Sequence, residues 1–131
     1  MADLHAVDPP MRDVEEVLTY ATRPWGWYTV LGEPDDDPIA AVKLLRVAPD
    51  EMLSLQTHRL RRERWMPVTY GLGAIIGDRK LELLPGRTYE IGIGVPHRLF
   101  DIGGSGGTVA EIMYGTYDEN DITRLSDKYH R

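Results

Sequence analysis

Four side chains with nitrogen or oxygen donor atoms lie in two separate segments of the chain. Gln56, His58 and Glu63 fall within the run SLQTHRLRRERW, and His97 follows within GVPHR. Imidazole nitrogens combined with a carboxylate oxygen suit a divalent transition metal such as zinc, manganese, iron or nickel. If the four side chains converge, they form a metal site inside a β-barrel. If they do not, little else in the sequence indicates chemistry.

Arginine is concentrated beside these candidate ligands. Arg59, Arg61, Arg62 and Arg64 belong to the same run. Two interpretations are open: a solvated, charged turn, or one or two guanidinium groups that face an anionic substrate. The second rests on the match between a guanidinium and the geometry of phosphate or carboxylate.

The elements that must position these residues have the pattern of β-strands. From Trp27 onward, short apolar or alternating segments recur between turns rich in glycine, proline and aspartate. About nine strands are predicted, a number and spacing typical of a sandwich or barrel. They are residues 28–31, 41–47, 52–57, 64–70, 74–76, 80–84, 88–93, 97–100 and 109–114. The glycine-rich run at 103–107 is predicted to be a hairpin tip.

The alternation of side chains along a strand sets which candidate ligands share a face. Gln56 and His58 are two residues apart and therefore point the same way. Glu63 lies an odd number of residues after His58, so a straight strand would place it on the opposite face. A turn or bulge at the intervening arginines corrects this and lets Glu63 and Trp65 point inward. Trp65 is then either a wall of a polar pocket or core filling.

The N-terminal part of the chain is predicted to be an arm followed by a short helix. Residues 1–10 show no periodicity, whereas apolar side chains at positions 11, 14, 17 and 18 predict an amphipathic helix. We therefore divide the chain into an arm and short helix at residues 1–22 and a single domain at residues 23–131.

Composition restricts the class of protein and its partners. The 131 residues are 42% hydrophobic and 27% charged, as in a soluble globular domain. The formal charge of -6 disfavours nucleic acid or an anionic membrane as the main partner. The sequence has no cysteine and no apolar run long enough to cross a bilayer, and its first residues lack a secretory pattern. We therefore expect a cytoplasmic protein.

The order of the motifs resembles that of the cupin superfamily. The pattern Q-x-H-x4-E followed by G-x-P-H is similar to its two-part signature, with Gln56 in place of the usual first histidine. Over residues 23–131 the chain looks like the cupin domain of type II mannose-6-phosphate isomerases. The matching text includes RPWG, Lys43, GVPHRL, G-x-Y and DI-x-R. The resemblance implies an all-β, cupin-type double-stranded β-helix, or jelly-roll barrel.

The resemblance also implies roles for particular residues. Gln56, His58, Glu63 and His97 would hold one divalent metal ion, with zinc or manganese as the first candidates and iron or nickel as further ones. Lys43 and Arg61 would be the catalytic residues, and one or the other would stabilise the enediolate of an aldose–ketose isomerisation. The expected substrate-binding residues are Arg98, Trp65 and Glu111. The catalytic base is not identified, although Glu111 is one candidate.

Departures from the family pattern leave three functions open. Arg64 stands where the family has a histidine, and Met113 where it has a glutamine, so the substrate-facing residues differ. The first function is a stand-alone isomerase of mannose 6-phosphate. The second is a metal-dependent cupin enzyme with another substrate, such as a tailoring isomerase or an oxygenase. The third is a non-catalytic domain that binds a sugar or another metabolite.

We also expect a homodimer, because outward apolar positions on the predicted strands need cover. The expected ligand is a small molecule that is anionic or a sugar phosphate.

Overall fold

The computed structural model describes residues 19–34 and 38–131, which form eleven β-strands. The strands are β1 (Tyr20–Arg23), β2 (Gly26–Gly32), β3 (Ile39–Val47), β4 (Leu55–Thr57), β5 (Arg61–Pro67), β6 (Leu72–Ile76), β7 (Arg79–Leu83), β8 (Tyr89–Ile91), β9 (His97–Asp101), β10 (Gly107–Gly115) and β11 (Thr123–Ser126). The described residues contain no helix. The helix predicted at residues 11–18 lies outside them.

The strands form two antiparallel sheets that share one core. The six-stranded sheet has the order β1-β2-β3-β10-β5-β8, and the five-stranded sheet has the order β11-β4-β9-β6-β7. Val47 and Val109 of the first sheet belong to the same buried cluster as Leu72, Leu83 and Leu99 of the second. The strand pattern predicted an all-β sandwich or barrel, and the all-β class is therefore confirmed.

Alternation of buried side chains gives the interior an apolar region and a polar region. On β5, Arg61, Glu63 and Trp65 are buried while the residues between them are more exposed. On β3, Lys43 points inward on the same face as Leu45 and Val47. Register then places Lys43 opposite Glu111 of β10, and Glu111 opposite Trp65 of β5. A row of polar groups thus crosses three adjacent strands and faces the interior.

Two strands were not predicted, and one loop was predicted wrongly. β1 and β11 are added at the edges of the sheets. Residues 102–106 link β9 to β10, which lie in different sheets, so the glycine-rich run forms a crossing between sheets and not a hairpin tip. The division of the chain at residues 22 and 23 stays a prediction.

Candidate metal centre and its cavity

Three of the four predicted metal ligands meet in the interior between the sheets. His97 Nε2 lies 3.2 Å from His58 Nε2 and 3.2 Å from Glu63 Oε1. The remaining distance, from His58 Nε2 to Glu63 Oε1, is 3.8 Å. All three side chains are buried. Each can offer one donor atom to a common point, which is the arrangement a metal ion requires.

The local chain path explains why Glu63 reaches the histidines. The bend that corrects the alternation of faces lies at residues 59–60, immediately after His58. β5 then starts at Arg61 and carries Glu63 inward. His97 opens β9, and its backbone pairs with that of Gln56 on β4. Gln56 lines the same cavity as the other three, but its role as a fourth ligand stays a prediction.

Backbone carbonyl groups fix the tautomers of the two histidines. His58 Nδ1 lies 2.6 Å from the Asp121 carbonyl oxygen, and His97 Nδ1 lies 2.9 Å from the Val95 carbonyl oxygen. A carbonyl oxygen can only accept a hydrogen bond, so each Nδ1 carries the proton. In the neutral rings each Nε2 therefore presents a lone pair to the centre. Outer partners of this kind orient metal-binding histidines in proteins.

The donor set fits a divalent cation. Two Nε2 lone pairs and Glu63 Oε1 are all acceptors, and Glu63 Oε1 is buried without a hydrogen-bond partner in the described part of the chain. Close acceptors repel one another unless a positive charge lies between them. Nitrogen and carboxylate ligands suit a borderline transition metal better than magnesium or calcium.

The charges of the three groups agree with this arrangement. Burial alone would raise the pKa of Glu63, but the two histidines and Arg61 lower it to about 2. Glu63 is therefore ionised at neutral pH. Burial lowers the pKa of His58, which favours the neutral, metal-binding ring. Burial also acts to lower the pKa of His97, but the neighbouring Glu63 raises it overall, so a proton competes for this position.

A cavity of about 90 Å³ lies over the candidate metal centre. More cations than acids line it, although the chain as a whole has a net charge of -6. The cationic lining residues are Arg23, Lys43, Arg61, Arg124 and Arg131, and the acidic ones are Glu63, Glu111 and Glu119. This excess of positive charge favours an anionic ligand.

Arg61 and Lys43, the two predicted catalytic residues, both reach the cavity. Arg61 is buried, and its Nε donates to Glu63 Oε2 at 3.1 Å while Nη2 lies 3.2 Å from His58 Nε2. Lys43 is also buried, and its Nζ donates to Glu119 Oε1 at 2.9 Å. Arg61 therefore lies at the metal centre, whereas Lys43 lies beside an acidic side chain on the cavity wall.

Glu111 and Trp65 form a hydrogen-bonded pair on the cavity wall. Trp65 Nε1 donates to Glu111 Oε2 at 2.9 Å, and the Trp65 ring packs edge-on against His97. Trp65 thus satisfies both sequence interpretations, because it lines the cavity and belongs to the core cluster. Burial and the nearby charge of Glu63 raise the pKa of Glu111 to about 7. A carboxyl group with this pKa can both donate and accept a proton near neutral pH.

Arg98 does not join the other predicted site residues. Its Nε donates to the Leu53 carbonyl oxygen at 2.8 Å, and its Nη2 donates to the Ser126 carbonyl oxygen at 3.2 Å. It is absent from the cavity lining, and its guanidinium instead ties β9 to neighbouring backbone. A role for Arg98 in substrate binding stays a prediction.

Sequence reasoning missed several residues of the site because they come from distant parts of the chain. Asp121 orients His58 through its carbonyl oxygen, and its carboxylate accepts the backbone N–H groups of Arg59 at 2.8 Å and Leu60 at 2.9 Å. Glu119 contacts Lys43. The motif DI-x-R, which contains Asp121, was the available signal, but the motif alone assigned it no role.

Comparison with known proteins identifies the family. The model described as Mannose-6-phosphate isomerase C-terminal matches residues 11–127. The chain belongs to this family. Curated proteins that resemble this chain are several times longer than it. The xanthan biosynthesis protein XanB of Xanthomonas campestris pv. campestris is 36% identical over 110 residues, which cover 83% of this chain and 23% of XanB.

A second relative of the family extends over the whole chain. The mannose-1-phosphate guanylyltransferase of Escherichia coli is 33% identical over 143 residues, which cover 100% of this chain and 29% of the enzyme. The chain therefore spans about a quarter of the length of these curated relatives.

Solved structures show the same fold at low sequence identity. The capsular polysaccharide assembling protein CapF from Staphylococcus aureus has a TM-score of 0.72 and 16% identity, over 85% of this chain and 33% of CapF. Oxalate decarboxylase from Bacillus subtilis has a TM-score of 0.70 and 16% identity, over 82% of this chain and 30% of the decarboxylase. The cupin-type jelly roll expected from the resemblance is thus confirmed. In the described part of this family member, no helix is long and apolar enough to span a bilayer.

Proposed function

We propose that this chain is a metal-dependent cupin domain that interconverts a phosphorylated aldose and its ketose, in the manner of a mannose-6-phosphate isomerase. The observation that carries the proposal is the convergence of His58, Glu63 and His97 beneath a cation-rich cavity. Membership of the family supports the same substrate class, and so do the guanylyltransferase relatives, whose name refers to a phosphorylated mannose.

The residues that would hold the metal are His58, Glu63 and His97, with Gln56 as the fourth. When bound, a divalent metal supplies Lewis acidity that polarises the oxygens of the sugar. Asp121 and Val95 keep both rings in the tautomer that binds a cation through Nε2. The protein thereby presents a set of acceptors that needs little rearrangement on metal binding.

Glu111 is the group we propose to carry the proton between adjacent carbons of the sugar. Its pKa of about 7 lets it accept a proton in one half-reaction and return it in the next. The Trp65 N–H holds its carboxyl group in place. Lys43 lies opposite Glu111 across the β3–β10 pair, and its positive charge favours the ionised form of that carboxyl group.

Arg61 is the group we propose to stabilise the negative charge that develops on the sugar oxygens. Its buried guanidinium lies against both His58 and Glu63, and therefore close to any oxygen that approaches the metal centre. A fixed cation in a buried site stabilises such charge more than a cation in solution does.

The direct test is conversion of mannose 6-phosphate to fructose 6-phosphate by the purified chain with added zinc or manganese. We expect conversion that a chelator abolishes and that His58→Gln abolishes. The control is His130→Gln, which changes an exposed histidine. Metal binding without conversion contradicts the isomerase. Oxygen consumption with iron would then indicate an oxygenase, and ligand binding without turnover would indicate a binding domain.

A further inference from the structure

Three hydrogen-bond donors converge on a single carboxylate oxygen at the mouth of the cavity. Glu119 Oε1 accepts from Lys43 Nζ at 2.9 Å, from the Tyr28 hydroxyl at 3.3 Å and from the Tyr117 hydroxyl. The donors come from β3, from β2 and from the segment that follows β10. A cation and two hydroxyl groups directed at one oxygen form a binding site for an oxyanion.

The ammonium group of Lys43 is enclosed by this cluster. Its Nζ lies 4.3 Å from the centre of the Tyr28 ring and 4.5 Å from that of Tyr117. An ammonium group has three N–H donors. Within residues 19–34 and 38–131, Glu119 supplies the one oxygen acceptor that Lys43 contacts. The ammonium can therefore bond to further oxygens that enter the cavity.

The two partners of this ion pair differ in how easily they can leave it. The Lys43 side chain is 7% exposed, whereas the Glu119 side chain is 52% exposed. Glu119 lies outside the strands, between β10 and β11, so it can turn toward water without disturbing a sheet. Burial acts to raise the pKa of Glu119, but Tyr117 and Lys43 lower it overall, so the carboxylate is ionised at neutral pH.

We propose that Lys43, Tyr28 and Tyr117 form the anion subsite of the cavity, and that the Glu119 carboxylate is its internal occupant. A phosphate group that enters must displace Glu119 and then receives the same three donors. A neutral sugar leaves Glu119 in place. Glu119 is on this basis a specificity-determining residue. The identification of the competing ligand as a sugar phosphate rests on the proposed function.

A purely structural role for Glu119 would change anion binding in the opposite direction. If Glu119 served only to hold Lys43 in position, its removal would disorder the ammonium and weaken the binding of anions. If it competes with the ligand, its removal strengthens the binding of anions. The sign of the change therefore decides between the two roles.

The experiment is a calorimetric titration of the full chain with inorganic phosphate at constant ionic strength. We expect Glu119→Gln to bind phosphate about tenfold more tightly than the wild type, a difference of about 1.4 kcal/mol. The matched control is Glu90→Gln, because Glu90 also pairs with surface cations, Arg62 and Arg64, and its loss changes the net charge equally. Phosphate affinity of the control should stay at the wild-type value.

Three results would overturn the proposal: unchanged or weaker phosphate binding by Glu119→Gln, an equal gain in Glu90→Gln, or a gain for neutral mannose as large as that for phosphate. Tyr28→Phe in the Glu119→Gln background should weaken phosphate binding several-fold, because it removes one donor. The titration requires neither metal nor turnover. A failed isomerase assay therefore leaves it intact, and an active isomerase with unchanged phosphate affinity in Glu119→Gln refutes the subsite alone.

Discussion

Acceptor atoms brought together in the buried interior are the feature of individual residues with the largest chemical consequence. His58, His97 and Glu63 present acceptors within 3.8 Å of one another. A cation offsets their mutual repulsion, and loss of the Glu63 charge should weaken the attraction for that cation most directly.

Glu63→Gln should reduce zinc affinity by more than about tenfold, because it replaces a charged ligand with a neutral, weaker one. Competition with a chromogenic chelator measures the change. Glu51→Gln is the control, since Glu51 pairs with Lys128 away from the centre. Equal zinc affinity in wild type and Glu63→Gln would contradict the assignment of Glu63 as a ligand.

A second prediction at this scale concerns Asp101, whose carboxylate stabilises the crossing between the sheets. It accepts backbone N–H groups from Asp50, Gly103, Gly104 and Gly106. Burial acts to raise the pKa of Asp101, but these N–H groups lower it overall. The stabilisation is therefore present above the unfolded-state pKa of about 4 and is lost as pH falls through the folded-state pKa.

Asp101→Asn should lower the free energy of unfolding by about 1–2 kcal/mol at pH 7. The difference from wild type should shrink as the pH falls below about 4. Chemical denaturation at a series of pH values measures both effects. Asp78→Asn, in the exposed β6–β7 turn, should show neither. A difference that persists undiminished at low pH would exclude the ionised carboxylate as its source.

At the scale of elements, the segment between β10 and β11 organises the site from outside the sheets. It contributes Asp121, which positions both His58 and the bend after it, and Glu119, which contacts Lys43. This segment therefore influences the metal centre and the cavity mouth together.

Asp121→Ala should lower zinc affinity about tenfold while the fold is preserved, because the bend that presents His58 loses two hydrogen bonds. Chelator competition measures the affinity, and circular dichroism verifies the fold. Asp118→Ala is a matched control in the same segment, since its carboxylate accepts only the Asn120 N–H among the described contacts. A comparable loss in Asp118→Ala would attribute the effect to the segment as a whole.

The alternation of inward and outward side chains along a strand explains which parts of the site could be predicted from the sequence. The parity argument predicted that Glu63 and Trp65 point inward after a bend, and the structure confirms it. The contact between His58 and Asp121 spans 63 positions, and that between Lys43 and Glu119 spans 76. No periodic pattern encodes such pairs, because they depend on where the segment between β10 and β11 lies in the folded chain. β11 was not predicted because all of its residues are exposed, so the segment shows no alternation of buried and exposed side chains.

At the scale of the whole molecule, the candidate ligands bridge the two sheets. Glu63 belongs to β5 of the six-stranded sheet and His97 to β9 of the five-stranded sheet. A metal held by both would link the sheets across the core and stabilise the native state alone, because the unfolded chain does not preserve the ligand geometry.

Zinc at about 100 times its Kd should therefore stabilise the chain by about 2.7 kcal/mol. For a domain of this size that corresponds to a rise in Tm of roughly 10 °C. Thermal denaturation followed by circular dichroism measures it. Magnesium at the same concentration should have little effect because it prefers oxygen ligands. A zinc effect that survives in His97→Gln would place the metal elsewhere.

The cross-strand row of Lys43, Glu111 and Trp65 also bears on how the chain must assemble. A slip of β10 by one residue would turn Glu111 toward the outside and separate it from both neighbours. Such a misaligned sheet would retain its strands while losing the hydrogen bond to Trp65 and the charge opposite Lys43. Correct folding and a competent site therefore depend on the same register of β10. A sequence change that loosens the pairing of β10 would be detected first as lost activity and only later as lost secondary structure.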